Sequence, residues 1–157
     1  MEVKISKALE GIIARTAFDT ARSGMDHSLK DCLMLTLLRD EDSMAYRLLA
    51  SHLQDWQMYQ IALRLEHEIR RAPSEGLLPE EFFVDYAAGL RRRFSDVRRI
   101  STAHAAIDII GDGASSAARI FALYGITGSL LEDELEQFSA DAERQTSTDN
   151  HAQAVLS

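Results

Sequence analysis

The sequence predicts an all-α fold of eight helices, arranged as two pseudo-two-fold-related four-helix repeats that share one core. The composition is typical of helices, because Leu, Ala, Arg and Glu are plentiful while aromatic residues make up only 7% of the 157 residues. Glycine (8) and proline (2) are few, which disfavours loop-rich architectures. Apolar residues recur at helical spacing, and their pattern occurs twice along the chain.

The first half of the chain predicts a short extended arm followed by four helices. Serine and aspartate stand where helices should start, since their side chains accept hydrogen bonds from exposed amides. The second helix is apolar on most sides, as a buried central helix would be. The predicted elements are an arm at 1–5, a helix from Ser6 to Gly24 with an apolar face of Leu9, Ile12, Ile13 and Phe18, a helix over 29–38 capped by a Ser28–Asp31 box, a helix from Ser43, and a helix from Asp55 to Arg71.

The second half begins after the clearest internal linker, 72–78, which contains Pro73, Ser74 and Gly76. Proline is favoured in the first turn of a helix, and glycine is favoured just after the end of one. The predicted elements are a helix from Pro79 with Phe82, Phe83, Tyr86 and Leu90 buried, a short helix from Ser101 or Thr102 to Ile110, a break at 111–113, a helix from Ser115 to a C-cap at Gly125, and a last helix from Thr127 through Leu135.

The two halves are related by a shift of 72 residues, which places 29–50 over 101–122. Five of the 22 aligned pairs are identical and seven more are apolar over apolar. No gap falls inside a predicted helix, so the pattern indicates a tandem repeat of a four-helix motif. A motif of this size is marginal alone, which predicts that both copies pack around a common core. The identical pairs are Asp40/Asp112, Ser43/Ser115, Ala45/Ala117, Arg47/Arg119 and Ala50/Ala122.

These features predict one domain over 1–140 and a polar tail over 141–157 that we expect to be disordered. Repeat one spans about 6–71 and repeat two about 79–140. The net charge of −8 is uneven, because 132–157 holds seven acids and one arginine while 1–131 holds 18 acids and 16 bases. This balance disfavours nucleic-acid and anionic-membrane binding.

The sequence contains one cysteine, Cys32, and shows neither an apolar signal segment nor a run near the roughly 20 residues of a membrane span. We therefore expect a cytoplasmic protein with no membrane partner. Cys32 is interpreted as a small core residue, since only a thiolate near positive charge is reactive. No cofactor or metal site is predicted, because the acids at 40–42 lack calcium-loop spacing and suit helix capping better.

The doubled pattern of a capped helix, an apolar run, an acidic break and then Ser-x-Ala-x-Arg resembles the double Clp N-terminal repeat found at the front of Clp-type AAA+ unfoldases. The resemblance covers about 6–138, with apolar runs at 31–38 and 103–110. It implies a protein-binding module that docks adaptors and client proteins for quality control. This chain has no phosphate-binding loop for ATP, so a stand-alone, non-enzymatic module is implied, whose partners are a Clp-type ATPase, its adaptors or its clients.

In that family some members bind phosphoarginine through the glutamate of a Glu-His pair in each repeat. Asp31 and Ala103 stand at those positions here, so at most one of the two carboxylates is kept. The resemblance and the repeat alignment place the candidate partner-binding surface where the copies meet. Its residues are Lys30, Asp31, Thr102, Ala103 and His104.

Other candidate sites have a structural interpretation beside a functional one. His104 is predicted as a half-buried histidine hydrogen-bonded near a helix start. Trp56 and Tyr59 are predicted to pack in the core, whereas exposure of Trp56 would indicate a protein contact. One basic cluster could dock an acidic partner or the acidic tail, although consecutive helical positions diverge. It consists of Arg91, Arg92, Arg93, Arg98 and Arg99.

Two alternatives to a protein-recruiting module follow from the same sequence. The first is a self-associating helical scaffold, or a dedicated interaction protein unrelated to proteolysis, that uses exposed Met, Trp or Leu side chains. The second is a small-molecule or enzymatic role in a groove between the repeats, which the lack of a convergent polar set disfavours.

Overall fold

A computed structural model of the chain describes residues 3–137, and in this part of the molecule eight helices and two very short strands occur. The all-α prediction is confirmed. The last helix, α8, occupies 128–137. The other elements are β1 (Lys4–Ile5), α1 (Lys7–Arg22), α2 (Leu29–Leu38), α3 (Met44–Ala50), α4 (Asp55–Arg71), α5 (Pro79–Arg93), β2 (Arg99–Ile100), α6 (Thr102–Ile110) and α7 (Ser116–Ala122).

Helices α2 and α6 lie at the centre of the fold and pack against each other. Most of their side chains are buried, which explains why both segments have apolar residues on most sides. Helices α1, α3, α4, α5 and α7 surround this pair. The core is therefore continuous, with residues of both sequence halves in one apolar cluster.

Serine side chains start the helices much as the sequence predicts. The hydroxyl groups of Ser6, Ser43 and Ser115 accept hydrogen bonds from the amides of Leu9, Tyr46 and Ala118, at 3.1, 3.1 and 3.0 Å. Thr127 accepts in the same way from Leu130 at 3.2 Å. These bonds satisfy amides that have no acceptor within the first turn of a helix.

Three local predictions are wrong. Ser28 has a left-handed backbone (φ 52°) and makes no cap, so Asp31 is not part of a capping box. Gln54, with Gln57, forms the N-terminal cap of α4 in place of Asp55, although the helix itself spans Asp55–Arg71 as predicted. Phe18 is 64% exposed instead of lying on the buried face of α1. In each case the local pattern is compatible with both arrangements, and neighbouring elements decide between them.

The extended arm forms a short strand, β1, and pairs with a second strand that the sequence did not predict. Lys4 and Ile5 of β1 pair in parallel with Arg99 and Ile100 of β2. The amide of Ser6 then donates to the carbonyl oxygen of Ile100 at 2.9 Å, directly before α1 begins. The start of the first half is thereby attached to the segment that leads into α6.

The predicted linker, 72–78, is irregular in the structure and is held against the loop between α1 and α2. The carboxylate of Asp26 accepts hydrogen bonds from the Ser74 hydroxyl group and from the Gly76 amide. The Asp26 carbonyl oxygen accepts from the Leu77 amide at 2.9 Å. Hydrogen bonds from Ser74 and His27 hold the pKa of Asp26 below its usual value. The linker is therefore a fixed connection within this fold. The predicted tail, 141–157, lies outside the described residues.

Candidate functional site

The five side chains predicted to bind a partner lie close together in the structure, but most of them face inward. Asp31 is 5% exposed, Thr102 is 2% exposed and Ala103 is fully buried. Lys30 and His104 are half-buried. A partner at the surface could therefore reach only Lys30 and His104, and the binding role of this set stays a prediction.

Asp31 joins α2 to the first turn of α7. Its carboxylate accepts hydrogen bonds from the amides of Ser116 and Ala117, at 3.2 and 3.0 Å. Burial raises the pKa of this carboxyl group, and the two amide hydrogen bonds oppose the shift. The carboxylate is thus directed at backbone amides within the molecule, which removes it from the surface where a phosphoarginine guanidinium would bind.

Thr102 makes the corresponding contact from the second half of the sequence to the first. Its hydroxyl group, at the start of α6, accepts a hydrogen bond from the Ala45 amide in the first turn of α3, at 3.1 Å. The two donating amides, Ala45 and Ala117, are 72 residues apart in the chain. Each short helix therefore has one amide capped by its own serine and another capped by a side chain from the opposite half.

Lys30 belongs to a charged cluster that connects α2 with α5 and α6. Its ammonium group lies 3.2 Å from a carboxylate oxygen of Asp108 and 3.0 Å from one of Asp112. The other Asp108 oxygen accepts from Arg93 at 2.7 Å. The hydrogen bond from Lys30 holds the pKa of Asp112 below its usual value. Burial raises the pKa of the neighbouring Tyr86 phenol. These contacts make Lys30 an internal partner of two acids.

His104 and Cys32 are aligned by the shift of 72 residues, and both side chains are half-buried. The Nδ1 atom of His104 accepts a hydrogen bond from the Ser101 amide at 2.9 Å, and its ring packs edge-on against Phe94. Burial lowers the pKa of His104, so its neutral form is favoured. Burial also raises the pKa of the Cys32 thiol to about 11, which leaves it protonated near neutral pH. Both environments match the structural interpretation of these residues.

Three of the five arginines line one groove. They are Arg93, Arg98 and Arg99, and the same groove contains Glu132 and Glu136 of α8. Arg93 is also paired with Asp108, while Arg91 borders a different groove between α1 and α5. The acidic-partner prediction for the five arginines stays a prediction.

Two surfaces carry exposed apolar side chains. The first, which we call the α1/α5 groove, has a volume of about 430 Å³ and mostly apolar walls. Val84, on its rim, is 70% exposed, whereas Phe83 at its floor is buried. Its lining residues are Ile5, Glu10, Ile13, Ala14, Ala17, Glu80, Phe83, Val84, Ala87 and Arg91.

The second, which we call the α4 surface, contradicts the prediction that Trp56 and Tyr59 pack in the core. Trp56 is 60% exposed, Tyr59 is 66% exposed and Leu63 is 49% exposed. The buried face of α4 is formed by other apolar residues, so this helix has two apolar stripes. Sequence periodicity detects both stripes but cannot tell which one the rest of the fold covers. The buried residues are Met58, Ile61, Leu65 and Ile69.

Within residues 3–137, no three His, Cys, Asp or Glu side chains are placed so that they could hold a metal ion together. In the same part of the chain, each helix is too short or too polar to cross a bilayer. The arrangement as a whole offers exposed apolar surfaces for contact.

Comparison with known proteins gives no match. No protein-family model matches the chain, and neither does any curated protein or solved structure. The similarity to the double Clp N-terminal repeat therefore rests on the residues of this chain alone.

Proposed function

We propose that this chain is a non-enzymatic protein-binding module, similar to a Clp unfoldase N domain, that recruits or competes for adaptors or client proteins. Its binding site is the α1/α5 groove. The occupant is an apolar segment of a client or adaptor polypeptide. One observation carries this proposal, namely an open groove with mostly apolar walls between α1 and α5.

The chemistry of the α1/α5 groove favours a polypeptide occupant. Val84 stands exposed at the rim, and Ile13, Ala17 and Ala87 extend the apolar wall. Covering such side chains removes apolar area from water, which stabilises a complex by about 25 cal/mol per Å² before association costs. An apolar helix or extended segment fits a groove between two helices.

The proposal includes two related four-helix repeats, α1–α4 and α5–α8. It also includes a role in protein quality control, with unfolded or damaged proteins as clients. The repeat is supported by the sequence alignment at a shift of 72 residues and by the crossed contacts of Asp31 and Thr102. The quality-control role and a Clp-type ATPase as partner are supported by the sequence resemblance alone.

A binding titration with an unfolded polypeptide tests the proposal. The probe is fluorescein-labelled lactalbumin that has been reduced and carboxymethylated, and the readout is fluorescence anisotropy. We expect Val84→Asp to weaken binding about tenfold, because it places a charge on the apolar wall. Leu123→Asp is the matched control, since Leu123 is 64% exposed and does not line the groove.

Equal binding by both variants and the unmodified chain, or no binding by any of them, would contradict the groove assignment. An affinity capture with the same three proteins as bait then identifies the natural partner. Recovery of a Clp-type ATPase or its adaptors that is lost only with Val84→Asp supports the quality-control role.

A self-associating scaffold is a second candidate function, favoured by the exposure of Met44, Trp56 and Leu63. Its test is the molar mass from light scattering over a wide range of protein concentration. A mass that rises with concentration and returns to that of the monomer in Trp56→Ala would favour the scaffold over the recruiting module.

A further inference from the structure

We propose that the α4 surface is a second docking surface, for a partner polypeptide segment in which apolar residues lie next to lysine or arginine. This surface shares no lining residue with the α1/α5 groove. The inference therefore stands independently of the function proposed for that groove. It would make the chain a connector between two different partners.

The apolar part of the surface is a stripe on one face of α4. Trp56, Tyr59 and Leu63 are spaced by three and four residues, which places them on neighbouring turns of the same face. About half or more of each side chain is exposed. Tryptophan and tyrosine dominate the binding energy of many protein interfaces, so this stripe offers the usual anchors.

The polar part of the surface is acidic. Beside the stripe, a groove between α4 and the α2–α3 region contains the carboxylates of Glu41, Asp55 and Glu66 and only one base, Arg39. Arg39 is already paired with Glu66 at 3.3 Å, and Arg70 pairs with the other Glu66 oxygen at 2.7 Å. The two remaining carboxylates therefore have no ionic partner among the described residues.

Those two carboxylates lie near one tyrosine of the groove. The Tyr46 hydroxyl group donates to Asp55 at 3.3 Å. Burial, followed by the negative charges of Asp55 and Glu41, raises the pKa of Tyr46. The unmatched negative charge is thus located in the same groove as Tyr59 and Leu63.

Charge and aromatic character select the same occupant. A lysine or arginine side chain can pair with Glu41 or Asp55, and it can also lie over the face of an exposed indole or phenol ring. An acidic segment would be repelled by the same carboxylates. The occupant is therefore a basic, apolar polypeptide segment of a partner protein, and a second copy of this chain is an outcome that the test must separate.

Trp56 makes the surface directly observable, because it is the only tryptophan in the chain. The probe is an amphipathic peptide of about 15 residues made of leucine and lysine, with no aromatic residue. Its counterpart has glutamate at every lysine position. We expect the leucine–lysine peptide to shift the emission of Trp56 to shorter wavelength and to bind about tenfold or more tightly than the leucine–glutamate peptide.

Variants locate the binding. Glu41→Lys and Tyr59→Ala are each expected to weaken binding of the leucine–lysine peptide about tenfold or more, and both residues are exposed, so the fold is retained. Asp133→Lys, an equal charge change at an exposed position of α8, is the matched control and is expected to bind like the unmodified chain.

Any one of the following results would overturn the inference: an unchanged Trp56 emission, equal binding of both peptides, equal losses with Glu41→Lys and Asp133→Lys, or an emission shift on raising the protein concentration without peptide. The last result would identify a second copy as the occupant. Because Val84→Asp leaves the α4 surface unchanged, loss of peptide binding in that variant alone would assign the peptide to the α1/α5 groove and would also contradict the inference.

Discussion

Asp31 and Thr102 hold the starts of two short helices in the same way but with different chemistry. Asp31 accepts two amide hydrogen bonds at α7 and brings a carboxylate into the interior. Thr102 accepts one at α3 and brings no charge. The comparison teaches that two contacts with matching geometry can differ in energy, because a buried carboxylate bears a desolvation cost that a hydroxyl group does not.

Both contacts also connect the two halves of the sequence. Helices α3 and α7 have seven residues each, which is too short for a helix to be stable by itself. Each depends on a side chain from the opposite half for one or two of its amide partners. Substitutions at these positions therefore measure how strongly the halves depend on each other.

Asp31→Ala should lower the free energy of unfolding more than the other substitutions considered. It leaves the buried Ala117 amide and the half-buried Ser116 amide without acceptors, and we expect it to lower the free energy of unfolding by about 3 kcal/mol. Urea denaturation followed by circular dichroism measures this change. A loss below that of Thr102→Val would contradict the expectation that two unpaired amides cost more stability than one.

Asp31→Asn is the control, because it keeps one acceptor oxygen and removes the charge. Burial raises the pKa of Asp31 in the folded chain above its unfolded value. The folded chain therefore binds the proton more tightly, and ionisation costs stability. The stability of the unmodified chain relative to Asp31→Asn should fall as pH rises from the unfolded pKa through the folded one, and stay constant above.

Thr102→Val should have an intermediate effect. The substitution keeps the shape of the side chain but leaves the Ala45 amide without its acceptor, so we expect a loss of about 1–2 kcal/mol. The same urea experiment measures it, and the effect should not vary with pH because no titrating group is removed. A strong pH dependence of this difference would show that the substitution disturbs more than one hydrogen bond.

Ser43→Ala and Ser115→Ala should have the smallest effects, with Ser115→Ala the larger of the two because its hydroxyl group also donates to the Ile109 carbonyl oxygen at 2.8 Å. Each serine accepts one amide bond from its own helix, at 3.1 and 3.0 Å. We expect each substitution to cost about 1 kcal/mol, as for other helix caps. Because the residue type is the same in both halves, a large difference in the measured unfolding free energies would mean that the surroundings, and not the cap, distinguish the halves.

The starts of individual helices could be predicted from the sequence because they depend on residues a few positions apart. Ser6, Ser43 and Ser115 cap the helices that follow them, and Pro79 begins α5. The contacts of Asp31 and Thr102 could not be predicted. Ala117 lies 86 positions from Asp31, and Ala45 lies 57 positions from Thr102. The sequence predicted Asp31 as a capping partner of Ser28 because capping rules consider only residues a few positions apart.

The sequence by itself determined the all-α class, the positions of the helices and the linker at 72–78, because hydrophobic spacing and capping are local properties of the chain. Only the tertiary structure decided which apolar stripe of α4 faces the core, that Asp31 and Ala103 face inward, and that Arg91 borders a different groove from Arg93, Arg98 and Arg99. The physical reason is that burial depends on which elements pack against each other, and a residue's exposure is set by neighbours that are distant in sequence.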